Sequence, residues 1–257
     1  VYDGLCVIEG GEIRWRRYPE WLGHWPAFLG FVLLVGIIEN LTRVPRLPEV
    51  TAVVVAGYGL VMFLGAFVFG RKWFERADAM EVFYELLGTV APLRLHETDG
   101  NQPIIVLRYP WQGCTTPVES RTVVAFVVTM VYTVTFDGFA ESPVYREIYF
   151  GVQETFGVGG TVSVLLYCLG LVGFVGGFVA IAIVVGRLLS EAQTRTESTT
   201  QHHVDSDGGA AVTTPLALAP TVLPIAAGYE FAHNFSYVLT YAGRLPTVAG
   251  APSVDPL

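Results

Sequence analysis

The chain has 257 residues, 52% of them hydrophobic and only 15% charged, where a soluble domain carries roughly 25% charge. Its net charge of −8 argues against nucleic acid as a partner, which needs a basic stripe. Lys72 is the single lysine among 15 cations, a composition that fits a halophile, and the three cysteines (Cys6, Cys114, Cys168) have neither metal-ligand nor redox spacing.

Mean hydropathy is +0.50, and several apolar runs reach about 18 to 25 residues, enough to cross a hydrocarbon layer of about 30 Å. The fold expected is therefore all-α: a polytopic helical bundle of about five membrane spans with one interfacial amphipathic helix. The chain begins at Val1 without a signal-peptide pattern, as a fragment of a longer membrane protein would.

In chain order, residues 1–20 form a polar segment with a strand pair expected around Gly10-Gly11. A first span is expected over 21–38, with Trp15, Trp21 and Trp25 as an interfacial belt. It stops at Glu39-Asn40, and a second span follows over 50–70, closed by Arg71-Lys72. Residues 78–91 place Val82, Phe83, Leu86 and Val90 at helical spacing opposite acidic residues, which predicts the interfacial helix. PIIVLRYP, residues 103–110, reads as a short extended piece.

A third span over 122–137 is expected to end at Asp137-Gly138, and 141–158 to form an interfacial or re-entrant connection. The fourth, 159–185, carries Gly173 and Gly177 at the spacing of a close helix contact. Residues 188–213, rich in Ser, Thr and Asp, are expected as a disordered loop. The fifth span lies within 214–243, interrupted by Pro220 and Pro224, and 244–257 form a tail. Most loop cations then fall on the side of the N-terminus, predicted cytoplasmic, which makes the localisation cell membrane, multi-pass.

Ionisable groups inside apolar runs cost roughly 2.5 kcal/mol or more on insertion scales, so those that persist mark candidate sites. Glu230, His233, Asn234, Tyr237 and Tyr241 fall on one face of the fifth span. Glu39 with Asn40, and Asp137, end spans on the same side, so these groups are expected to converge on a polar cavity or proton relay. Glu-x-x-His is also a metal-ligand spacing in helical bundles, but the full set needs a second motif and further carboxylates. No metal or cofactor is expected. The structural alternative is a polar stripe that only fixes helix packing.

ADAMEVFYELLGTVAPL (77–93), TFDGFAESPVY (135–145) and FAHNFSYVL (231–239) together resemble a family of multi-span membrane proteins of haloarchaea and actinobacteria, some of whose members are named fenitrothion hydrolase. The resemblance implies the multi-span architecture, points to Asp137, His233 and Asn234 as motif residues and, through that name, implies phosphotriester hydrolysis. The function expected from the residues is a transport or permease-like component with a polar intramembrane cavity. A membrane-embedded hydrolase and a structural or assembly subunit are the alternatives. The expected partners are the lipid bilayer and membrane subunits or a second copy, and no nucleic acid.

Overall fold

The computed structural model describes residues 15–97, 103–157, 161–197 and 214–243. The expected strand pair near Gly10 and the C-terminal tail lie outside them. The described chain is an all-α helical bundle with one small β-hairpin.

A 3-10 turn, Glu20–Leu22, leads into α1, Trp25–Phe31, which runs on as a π-helix over Val32–Glu39. After a turn come α2, Pro48–Phe69, α3, Arg71–Ala77, and α4, Ala79–Val90. Strands β1, Leu93–Glu97, and β2, Pro103–Leu107, pair antiparallel with Leu95 opposite Ile105. Then follow α5, Arg121–Ala140, α6, Pro143–Phe156, and α7, Thr161–Glu197. Finally α8, Thr214–Leu218, passes through a 3-10 turn, Ala219–Val222, into α9, Leu223–Ala242.

Among the described residues, four helical stretches are long and apolar enough to cross a membrane: Glu20–Glu39, Pro48–Phe69, Arg121–Ala140 and Thr161–Ser190. α9, the expected fifth span, is 20 residues long but is not among them. Burial sorts the four. Within α5, 61% of the apolar window is buried, against 11% for α2 and for α7. α5 is thus the bundle's centre, with Phe126, Val127, Thr129 and Met130 at 1% exposure or less. α2 and α7 present Val53, Leu60, Leu64, Leu169, Val172 and Ile181 outward. Apolar surface on that scale has no place in water, so lipid is the solvent of this fold and the chain is a membrane protein.

Segment 71–90 holds the expected amphipathic helix, α4, and adds a reversal ahead of it. Gly70, at φ +74°, turns the chain, and α3 folds back along α2. A Cβ at Gly65 would overlap the Trp73 ring, so the two helices meet there. Asp78 caps α4 by accepting from the amides of Met80 (2.9 Å) and Glu81 (3.2 Å). The Tyr58 hydroxyl donates to Asp78 (2.5 Å) and accepts from the Ala79 amide (3.1 Å). Tyr58 stands about 16 Å of helix rise before the end of α2, so α4 starts well back along that span. Its buried edge, Ala79, Val82 and Leu86, packs into the core. Its far end is closed by Arg108, which donates to the carbonyls of Thr89 (2.7 Å), Gly88 (3.0 Å) and Ala91 (3.1 Å).

Several boundaries differ from the sequence expectation. The third span continues to Ala140, because Gly138 keeps helical geometry and Asp137 lies inside the helix. Residues 143–156 are a regular helix, α6, capped by Ser142 and ended by Gly157 at φ +64°. Residues 188–197, expected in a disordered loop, continue α7 to Glu197. SEAQTRTE has no Gly or Pro to interrupt the helical ladder, and 198–213 lie outside the described residues. Among the described residues, nothing lies within 4 Å of a Cβ at Gly173 or Gly177. Close glycine contacts fall elsewhere, among them Gly170 on Tyr132, Gly186 on Thr214 and Gly36 on Tyr167.

Candidate functional site

α9 runs from the Val118 end of the bundle, where the Val118 amide donates to Leu216 (3.0 Å), toward the Glu39 end. Its polar stripe therefore meets the ends of the first span and α5. There a cavity of about 560 Å³ opens among the first span, α4, α5 and α9. Glu39, Asn40, Asp137, Glu230, His233 and Asn234 all line it. Tyr241 is exposed and does not line it, and the side chain of Tyr237 lies outside the described residues.

Residues not singled out from the sequence complete the wall. Tyr229 donates its hydroxyl to the Asp137 carboxylate and stacks on His233, with ring centroids 5.6 Å apart. It sits four residues before His233, so the stripe's own periodicity points to it. Asn234 donates to the Glu230 carboxylate (3.2 Å) and carbonyl (2.8 Å), which fixes the carboxylate's position along α9. Met80, Phe83 and Tyr84 of α4 form the apolar and aromatic side.

Thr133 lines the cavity and belongs equally to the core. At 3% exposure, its hydroxyl lies 2.8 Å from that of Tyr167, whose carbonyl accepts from Tyr132 (2.9 Å). Gly36 leaves the room that the Tyr167 phenol occupies. Gly36 lies within the π-helix, a rare geometry that concentrates at functional sites, and the same stretch ends at Glu39.

Three carboxylates, those of Glu39, Asp137 and Glu230, share this cavity, and among the described residues no lysine or arginine lines it. Carboxylates gathered in this way repel one another, and a bound cation would offset that repulsion. Among the described residues, no group of three His, Cys, Asp or Glu is placed to hold a metal ion. Comparison with known proteins gives no matching family model, no matching curated protein and no matching solved structure.

Proposed function

We propose that the protein is a multi-pass cell-membrane transport component that moves a small cation coupled to protons through the cavity at Glu39, Asp137 and Glu230. The observation that carries this reading is the three carboxylates, with His233 and no lysine or arginine of the described residues among them, around one cavity of about 560 Å³. That volume falls within the range of about 300–1,000 Å³ usual for small-molecule sites. Met80, Phe83 and Tyr84 add apolar and aromatic surface suited to an organic ammonium group. Tyr229 and Asn234 hold two of the carboxylates in place, and His233 adds an imidazole that can donate or accept beside them.

The test is reconstitution into proteoliposomes loaded with a pH-sensitive dye and challenged with a panel of primary and quaternary ammonium ions. A substrate cation drives a pH change in wild type. Glu230→Gln and Asp137→Asn each slow it by about tenfold or more, the worth of a lost charged contact of roughly 1.5–3 kcal/mol. Equal rates in wild type and both folded variants would remove the transport reading and leave the stripe a packing device. The hydrolase implied by the family resemblance calls for metal-activated water; chelator-sensitive release of product from a phosphotriester would favour it instead.

A further inference from the structure

A second cavity, of about 210 Å³, lies at the opposite end of the same helices. His24, Glu85, Thr89, Thr116 and Glu119 supply its polar wall, and Leu223 its apolar one. The same four elements line both cavities in matching order. The first span gives His24 to one and Glu39 to the other, α5 gives Val123 and Thr133, and α9 gives Leu223 and Tyr229. Val123 and Thr133 are separated by about 15 Å of helix rise, so the two cavities are stacked along the bundle.

Between them is the most tightly closed part of the molecule. Phe31, Phe126, Val127, Met130 and Ala226 are at 2% exposure or less. Phe31 packs on Phe126 at 5.1 Å and on Phe83 at 5.4 Å. α4 turns one face to each cavity: Val82 lines the second and Phe83 the first. This helix has 12 residues and is held at its two ends by the Tyr58–Asp78 and Arg108 clamps.

We infer that the second cavity is the opposite-side vestibule of the same route, with α4 the wall common to both. The inference rests on the transport reading. Within it, the His24–Glu85–Glu119 wall gives protons and cations a polar exit on the side of the N-terminus, and the Phe31–Phe83–Phe126 cluster separates the two openings.

The experiment uses the full chain with Cys6, Cys114 and Cys168 replaced by serine. Single cysteines are placed at Tyr84 or Asn234 in the first cavity and at Thr89 or Thr116 in the second. A membrane-impermeant thiol reagent is applied to either side of sealed vesicles. Tyr84→Cys and Asn234→Cys are expected to react only from the outer face, and Thr89→Cys and Thr116→Cys only from the cytoplasmic face. Reaction of both pairs from one side, or no reaction of the second pair from either side, overturns the inference.

Thinning the barrier supplies a second readout. Dye-loaded vesicles should leak protons faster in the order Phe31→Ala, Phe31→Leu, wild type. If both variants elute as folded protein and neither leaks, the cluster is not the barrier. Opposite-sided labelling combined with unchanged uptake in Glu230→Gln would sink the transport reading while leaving the two vestibules in place.

Discussion

Gly36 and Tyr167 are a pair in which one side chain exists because the other does not. Any Cβ at Gly36 would overlap the Tyr167 phenol, which is fully buried and bonded to Thr133 in the cavity wall. Gly36→Ala should therefore destabilise the protein by about 1–3 kcal/mol, the usual cost of overpacking, read as a lower melting temperature in detergent. Tyr167→Phe removes the overlapping oxygen, so the double variant should recover part of the loss; a fully stable Gly36→Ala would show that the contact has slack. Glu85 provides a pH test. Burial, and then the charges of Glu81, Glu119 and Glu75, push its carboxyl above its usual 4.5. The folded state thus holds this proton more tightly than the unfolded one, and stability falls as pH rises from the unfolded value through the folded one. Glu85→Gln should melt higher than wild type above that window and gain nothing below pH 4.5. A gain of equal size at all pH values would assign the effect to packing. At this scale the sequence was informative about charge and poor about shape. Glu39, Asp137, Glu230 and His233 are legible because lipid makes each of them expensive. The Gly36–Tyr167 fit is a contact between distant residues, with no local signature.

Elements divide along the same line. Long apolar runs made the four spans visible, and helical spacing made α4 visible to within a residue or two of its ends. The reversal through α3 was not visible, because it depends on Tyr58 meeting Asp78 across twenty positions of sequence. β2 is legible in PIIVL, whereas its partner LRLHE alternates apolar and polar residues over too short a run to stand out alone. The π-helical stretch VLLVGIIE has the composition of any apolar helix. Asp78→Ala removes the acceptor for two amides and for Tyr58 at the start of α4. A loss of about 1–2 kcal/mol is expected for such a cap, together with faster hydrogen exchange at Met80 and Glu81. Asp78→Asn keeps an acceptor and should lie between the two. Unchanged exchange in Asp78→Ala would mean that packing alone holds the first turn.

The whole molecule shows why its candidate site and its least legible helix coincide. Glu230, His233 and Asn234 lower the hydropathy of α9 enough to separate it from the four clear spans, and the same residues build the cavity wall. The polar stripe borders the cavity shared with α5, the first span and α4, although His233 and Asn234 stay exposed on α9, while α2 and α7 carry the outward apolar side chains. α7 has a further consequence. Its 37 residues make a rod of about 55 Å, whereas a bilayer with its headgroups is about 40–45 Å thick. The surplus is polar from Ser190 onward, which makes tilting it into the oil unfavourable. A bilayer placed around the apolar part of α7 would leave its last two turns standing in water as a stiff post.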